Sequence, residues 1–215
     1  MDLNEIYQNV IEGQSTGVET GVKAALAAGI GAEEILHKAL IAAMSEVGRQ
    51  FEAGDFFVPE MLVAARAMQA GLKLLKPYLA SADVKTAGRI AIGTVKGDLH
   101  DIGKNLVAMM LEGSGFEVMD LGVDVAPDAY VRAVREGGAQ IIGMSALLTT
   151  TMGSMQATLE ALKAAGLRDK VKVMIGGAPV TQDYANKIGA DAFAPDASSA
   201  TRTARQLLEI ASTPF

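Results

Sequence analysis

The segment GDLHDIGKN, residues 97–105, places one of the chain's two histidines between two aspartates on a turn that glycines flank. An exposed imidazole can bind a metal through one ring nitrogen, while a carboxylate two residues away accepts a hydrogen bond from the other nitrogen. His100 and Asp98 have that spacing, and Gly97 and Gly103 leave the backbone open to a large planar ligand. An aspartate that caps a helix beside a solvated histidine would give the same local pattern, so both alternatives remain at this point.

The other metal-binding residue types limit which metal His100 could hold. A zinc or iron ion bound by protein alone needs three or four ligands. The second histidine, His37, lies far along the chain on a predicted helix, and the chain contains no cysteine. A single imidazole is sufficient for a metal that a macrocycle already holds, so haem and a corrinoid are the candidates.

The composition argues against several classes of function. The 215 residues carry a formal net charge of −6, whereas contacts with nucleic-acid phosphates need clustered lysine and arginine. Without cysteine there is no disulfide and no cysteine nucleophile. The opening MDLNEIYQNV lacks the pattern of a secretion signal, and no run is long and apolar enough to span a bilayer. We therefore expect a cytoplasmic protein with neither a nucleic-acid partner nor a membrane partner.

The first part of the chain predicts only helices, because its apolar residues recur at helical spacing and never alternate as in a strand. We predict an all-α four-helix bundle over residues 1–79, followed by a small, polar linker at 80–88. The first predicted helix covers about residues 3–12, and the second begins at Thr16, where Glu19 would complete a capping box. The third runs to about Phe51, and the fourth begins at Pro59.

The second part, residues 89–215, alternates short apolar runs with helical stretches. Five such units predict a doubly wound α/β domain, in which a five-stranded parallel sheet of Rossmann-like or flavodoxin-like type carries helices on both faces. Ligands of such sheets bind at the carboxyl ends of the strands, near the point where the strand order reverses. The predicted strands are RIAIGTV, FEVMDLG, QIIGMSA, VKVMIGG and DAFAP, and the predicted helices cover about 102–113, 127–137, 151–166, 181–188 and 198–210.

Three motifs, all at the carboxyl ends of predicted strands, carry a resemblance to a known family. Together they are similar to the signature of cobalamin-binding domains. VKGDLHDIGKN resembles in particular the corrinoid proteins of anaerobic methyltransferase systems and the cobalamin module of methionine synthase. FEAGDFFVPEMLVAARAM resembles part of the helical cap of those proteins, so the resemblance covers nearly the whole chain. The motifs are, in order, Asp98-x-His100-x-x-Gly103, Ser145-x-Leu147 and Gly176-Gly177.

The resemblance implies that His100 is the lower ligand of cobalt, in place of the cofactor's own benzimidazole, with Asp98 hydrogen-bonded behind it. The family often has a serine as the third member of this relay. The matching spacing falls on Thr151, but Thr149 and Thr150 are adjacent, so the choice among the three stays open. The displaced nucleotide tail would enter a slot in the sheet domain. The implied cofactor-binding residues of that domain are Gly97, Asp98, Leu99, His100, Asp101, Ile102, Gly103, Ser145, Leu147, Thr149, Thr151, Gly176 and Gly177.

The resemblance also implies an apolar cap over the upper face of cobalt. Phe51 matches the covering aromatic residue of the family by its spacing to FFVPE, and Val58 and Met61 open the following helix beside it. Met61 also lies on an apolar stripe, so packing in the core explains it equally well.

The implied function is that of a methyl carrier, a non-catalytic component of a methyltransferase system. A donor-side methyltransferase would methylate cob(I)alamin, or a related corrinoid, and an acceptor-side methyltransferase would take the methyl group from methylcobalamin. A reductive activator is a further expected partner. The sequence identifies neither the methyl donor nor the acceptor.

Two alternatives share the cobalamin signature. A cobalamin-binding subunit of a mutase usually lacks a helical cap, so residues 1–79 weigh against it. A cobalamin-based light sensor normally carries a basic DNA-binding domain and a tryptophan in its cap, whereas this chain is acidic and contains no tryptophan.

Overall fold

The computed structural model describes residues 2–81 and 86–210, and these divide into two compact units. The first unit contains the described residues up to Thr86 together with Glu112–Gly115, and the second contains Ala87–Leu111 and those from Phe116 onward. Positions 82–85 of the expected linker at 80–88 lie outside the described residues. Within the two described ranges, none of the helices combines the length and the apolarity needed to cross a bilayer.

The first unit consists of helices. Its elements are α1 (Leu3–Ile11), α2 (Ser15–Ala27), α3 (Ala32–Ile35), a π-helical segment (Leu36–Ile41), α4 (Ala42–Ala53) and α5 (Val58–Ser81). The helix α3, the π-helical segment and α4 follow one another without a break and correspond to the predicted third helix. The four predicted helices are therefore confirmed, and their apolar stripes are buried, as Val10, Leu40 and Met68 illustrate.

The predicted capping box at the start of α2 is wrong. The helix begins at Ser15, one residue before Thr16, and its N-cap residue Gln14 makes no side-chain capping bond. Glu19 lies instead 3.9 Å from Lys23, one turn further along the helix. A local S/T-x-x-E pattern can satisfy this geometry only if the helix starts at that threonine or serine.

The second unit alternates strands and helices along the chain. Its elements are β1 (Arg89–Thr94), α6 (Ile102–Gly113), β2 (Glu117–Asp120), α7 (Pro127–Arg135), β3 (Ile141–Ser145), α8 (Gly153–Ala164), a short 3₁₀ helix (Arg168–Lys170), β4 (Lys172–Gly176), α9 (Gln182–Ile188), β5 (Ala192–Phe193) and α10 (Ala197–Leu207). The last two residues of α6 group with the first unit. Each strand and each helix predicted for this part of the chain is present.

The five strands form one parallel sheet in the order β2-β1-β3-β4-β5, which confirms the predicted doubly wound domain. The strand order reverses between β1 and β3, so their carboxyl ends form the switch point at which ligands of such folds bind. The register sets Thr94 opposite Ser145, and Ser145 opposite Gly176. The ends of three strands therefore lie side by side.

Helices cover both faces of the sheet because successive strand residues point to opposite sides. Ala91 and Ile142 belong to a buried cluster that includes residues of α7, α8 and α9. Their neighbours Ile90 and Ile141 belong to a second cluster, which includes residues of α6 and α10. Both strands are therefore buried on each side, which explains why they read as continuous apolar runs.

The loops after β3 and β4 approach each other closely. Gly177 has a φ of +124°, and a Cβ added to it would overlap the carbonyl oxygen of Ala146. A Cβ added to Gly176 would lie 2.8 Å from the carbonyl oxygen of Ala194. Backbone packing between neighbouring loops is thus a sufficient physical reason for glycine at both positions.

We expect Gly177→Ala to lower the free energy of unfolding by about 3 kcal/mol or more, or to prevent folding, because the overlap adds to the cost of the positive φ. Gly166→Ala is the matched control, since Gly166 also has a positive φ, +67°, but its added Cβ would meet no atom within 4 Å. It should cost only about 1 to 2 kcal/mol. Urea unfolding followed by circular dichroism measures both. Equal losses of unfolding free energy in the two variants would show that the loop at Ala146 can move to accommodate the added Cβ.

Candidate functional site

His100 lies on the turn that connects β1 to α6, and backbone contacts fold this turn against the end of β1. The amide of Asp98 donates to the carbonyl of Val95 at 3.1 Å, and the Thr94 hydroxyl donates to the carbonyl of His100 at 2.8 Å. Gly97 has a φ of +87°, in the region that favours glycine. The turn therefore holds its backbone inward, while about half of the His100 side chain, 51%, remains exposed.

The carboxylate of Asp98 is fully buried and accepts hydrogen bonds from five donors. Its Oδ1 accepts from the backbone amide of His100 at 3.1 Å and from the ring Nδ1 of His100 at 2.7 Å. Its Oδ2 accepts from the backbone amides of Leu147 and Leu148, at 2.8 and 3.2 Å, and from the Thr151 hydroxyl at 2.7 Å. One side chain thus connects the turn after β1 to the loop after β3.

These hydrogen bonds keep Asp98 ionised. Burial is the largest single effect on this carboxyl and by itself raises its pKa. The hydrogen bonds from Thr151, from His100 and from the Leu147 amide together outweigh burial and hold the pKa of Asp98 well below its usual range. The carboxylate is therefore negatively charged at neutral pH and can act only as an acceptor.

The ionised carboxylate assigns the tautomer of His100. Since Asp98 Oδ1 cannot donate, the proton of the neutral ring must lie on Nδ1, and Nε2 keeps its lone pair. Among residues 2–81 and 86–210, none is hydrogen-bonded to Nε2. The arrangement leaves the lone pair of Nε2 available to a metal, while the hydrogen bond from Nδ1 orients the ring.

The structure distinguishes the three adjacent threonines. Thr149 and Thr150 are exposed, whereas Thr151 is buried and its hydroxyl reaches Asp98. The Thr151 hydroxyl also lies 2.8 Å from the carbonyl of Leu148, so its single proton has two acceptors within reach. Of the three, Thr151 is the residue in contact with the Asp98–His100 pair.

Large apolar side chains are exposed around the carboxyl ends of β1, β2 and β3. Exposure of several such residues in one region is unusual for a free protein surface and is typical of a binding site. Sequence analysis missed Val123 and Leu148, because neither stands in a motif. Their position in the loops after β2 and β3, at the ligand-binding edge of the sheet, was a usable signal. The residues, with exposures between 38% and 81%, are Leu99, Ile102, Val123, Leu147 and Leu148, and we call them the apolar rim.

The other residues expected in the sheet domain lie at the same edge. Ser145 is the last residue of β3, and Gly176 is its partner in the register of β4. Asp101 is exposed and accepts a hydrogen bond from the Asn105 side chain at 3.1 Å. A Cβ added to Gly103 would meet no atom within 4 Å, so the first turn of α6 has open space beside it.

Sequence analysis also missed a buried lysine next to the His100 turn. Lys104 is 2% exposed, and its ammonium lies 2.6 and 2.7 Å from the two carboxylate oxygens of Asp120. It also donates to the side-chain oxygen of Asn105 at 2.6 Å. The pair connects the first turn of α6 to the end of β2. A lysine in the first turn of a largely apolar helix was the signal that could have identified it.

The three expected cap residues belong to the first unit. Phe51 is a partly buried residue of α4, Val58 is the first residue of α5 and 41% exposed, and Met61 is fully buried. Their expected place over a cofactor stays a prediction.

Comparison with family models gives two matches that together cover both units. One model described as a B12 binding domain matches residues 88–204, and a second with the same description matches residues 2–76.

Named relatives and solved structures agree with these matches. The chain is 48% identical to trimethylamine corrinoid protein 1 of Methanosarcina acetivorans over 86% of both chains, and 46% identical to dimethylamine corrinoid protein 3 of that organism over 96% of both. A cobalamin-binding protein from Desulfitobacterium hafniense superposes with a TM-score of 0.80 at 36% identity, covering 96% of this chain and 98% of that one. A chain of the methanol:cobalamin methyltransferase complex from Methanosarcina barkeri superposes with a TM-score of 0.87 at 30% identity, covering 96% of this chain and 79% of that one.

We expect Asp98→Asn to lower the free energy of unfolding by about 2 kcal/mol or more at pH 7, because an amide cannot accept from all five donors. Folding lowers the pKa of Asp98, so its ionisation stabilises the protein above the ordinary carboxyl pKa of about 4, and this contribution is lost as the pH falls. The difference between the two proteins should therefore shrink below about pH 4.

The matched control is Asp101→Asn, which changes an exposed carboxylate on the same turn. Its unfolding free energy should stay within about 0.5 kcal/mol of the wild-type value. Urea unfolding at pH 7 and pH 3 measures all three proteins. A loss for Asp98→Asn that is the same at both pH values would contradict the assigned ionisation.

Proposed function

Since the chain belongs to the B12-binding family, we propose that His100 is the protein ligand of a corrinoid cobalt and that Asp98 and Thr151 set its orientation. The chain is a corrinoid protein of a methyltransferase system and functions as a methyl carrier, as its similarity to the corrinoid proteins of Methanosarcina supports. The observation that carries the proposal is the 2.7 Å hydrogen bond from His100 Nδ1 to the buried Asp98 carboxylate.

The residues present fit a corrinoid better than a bare ion. In the part of the chain that the structure describes, no cluster of three or more His, Cys, Asp or Glu side chains could hold a metal. His100 offers one free nitrogen, and the apolar rim offers hydrophobic side chains that suit a large macrocycle. The open space beside Gly103 leaves room near the backbone. Cobalamin, when bound, supplies a cobalt that takes up a methyl group and releases it again.

The residues around His100 orient its ring rather than act on a substrate. Asp98 accepts a hydrogen bond from Nδ1–H of His100, which fixes the tautomer of the ring and makes Nε2 a better donor to a metal. Thr151 and the amides of Leu147 and Leu148 hold the carboxylate in place. Because the carboxylate is fully buried and bonded, it cannot turn away from the ring without leaving donors unpaired.

We propose further that residues 1–79 form a cap domain and that 89–215 form the cofactor-binding domain. In this proposal Phe51, Val58 and Met61 would form an apolar cover that keeps water from the bound cofactor. The nucleotide tail would contact Ser145, Thr149 and the Gly176-Gly177 turn. A reductive activator and a cytoplasmic location also remain proposals.

Methyltransferases are the partners of such a carrier. One solved relative is part of a methanol:cobalamin methyltransferase complex, at 30% identity, whereas the relatives at 46–49% identity are named for trimethylamine and dimethylamine. We therefore propose a methylated amine as the donor class and a donor-side methyltransferase that recognises it.

The ligand assignment can be tested with isotopically labelled histidine, because the chain contains only His37 and His100. Paramagnetic resonance of the cobalt(II) form, loaded with cobalamin, should show coupling to a histidine ¹⁵N. His100→Ala should abolish that coupling. His37→Ala, which changes an exposed residue of the π-helical segment, is the control and should retain it. Coupling to benzimidazole nitrogen in the wild type would refute the assignment.

The donor class can be tested with the loaded carrier and its cognate donor-side methyltransferase. We expect trimethylamine or dimethylamine to produce the visible-absorption change of cobalt methylation, and methanol to produce none. The same mixtures without methyltransferase are the control, since substrate recognition belongs to the partner. Methylation with methanol alone would contradict the proposed donor class.

A further inference from the structure

The His100 turn is held from both of its sides. The strand order places β1 between β2 and β3, so the turn after β1 lies between the loops that follow those two strands. On the β3 side, the loop holds the Asp98 carboxylate through Thr151 and two backbone amides. On the β2 side, Asp124 makes the contacts.

Asp124 holds the backbone around Asp98 at two points. Its Oδ1 accepts from the amide of Gly97 at 2.7 Å, and its own amide donates to the carbonyl of Asp98 at 3.0 Å. These contacts fix the peptide group before Gly97 and the one after Asp98. Gly97 is the residue of the turn with the widest conformational freedom, so it is where an external restraint matters most.

Asp124 has an unfavourable backbone conformation for a residue with a side chain. Its φ is +52°, and among the described residues only Glu209, at +55°, is another non-glycine with positive φ. Asparagine and aspartate tolerate this region better than most residues, but glycine fits it best. The bond to the Gly97 amide gives a reason for a carboxylate where glycine would cost less.

The loop that presents Asp124 is itself anchored at both ends. Before it, the Asp120 carboxylate accepts from the amide of Gly122 at 2.9 Å and from the buried ammonium of Lys104. After it, the amide of Val125 donates to the carbonyl of Thr94 at 2.9 Å, beside an isolated bridge to Val95. Asp124 therefore restrains the turn from a fixed position.

We propose that Asp124 is a positioning residue for His100. Asp124 acts by hydrogen-bonding to the backbone of Gly97 and Asp98 from the β2 side. This inference rests on the proposed function. With these two hydrogen bonds in place, the backbone that carries the Asp98 side chain is fixed, and the orientation of the His100 ring is determined before any cofactor binds. Without the bond from Gly97, the backbone at Gly97 can change conformation and the ring is no longer held in one orientation.

The informative variant is Asp124→Gly, because glycine adopts a positive φ without strain and removes only the side-chain bond. In the apo protein, the exchange of the Gly97 amide with solvent should become about tenfold faster or more. In the cobalamin-loaded cobalt(II) protein, the ratio of histidine-ligated to unligated cobalt should fall about threefold to tenfold, as labelled-histidine coupling measures. Asp124→Asn keeps an oxygen acceptor and should restore both quantities to near their wild-type values.

Glu209→Gly is the matched control, because it places glycine at the other positive φ and should change neither quantity. If Asp124→Gly does not fold, Asp124→Ser, whose shorter side chain withdraws the acceptor, takes its place under the same criteria. Wild-type ratios and exchange rates in the acceptor-lacking variant would overturn the inference about Asp124. A wild-type protein that shows no histidine coupling at all would instead overturn the proposed function.

Discussion

A buried, ionised carboxylate is the constraint on which the rest of the site depends. Placing the Asp98 charge away from water is costly unless hydrogen bonds replace its hydration. Five donors do so, and they come from two separate segments of the chain, the turn after β1 and the loop after β3. Satisfying one carboxylate therefore brings those segments together, assigns the tautomer of His100 and leaves a single imidazole nitrogen free.

The order of the strands makes this arrangement possible. With β1 between β2 and β3, the turn that carries His100 meets a loop on each side. Close approach of the backbones at Gly176 and Gly177 extends the packed edge toward β4. A parallel sheet places all these strand ends on one edge, so residues far apart in sequence share one site.

The apolar rim gives the site a second property that suits a carrier. Exposed leucine, isoleucine and valine side chains near His100 are unfavourable in water and favourable against a large ligand. Beside them, the His100 side chain stays half-exposed on a turn that hydrogen bonds hold on both sides. The protein thus combines a hydrogen-bonded support behind His100 with an exposed, hydrophobic surface beside it.

Patterns local in sequence determined much of this protein before its tertiary structure was considered. Helical spacing predicts the four helices of the first unit, alternating segments predict the five βα units of the second, and Asp98-x-His100 predicts the hydrogen-bonded pair, because each depends on residues a few positions apart. Only the tertiary structure decided which of three threonines reaches Asp98, that Lys104 pairs with Asp120, and that Asp124 lies beside Gly97. Those partners are 53, 16 and 27 positions apart, and their proximity follows from strand order and register, which no local pattern contains. The capping box expected at Thr16 is absent because the helix begins one residue earlier, at Ser15.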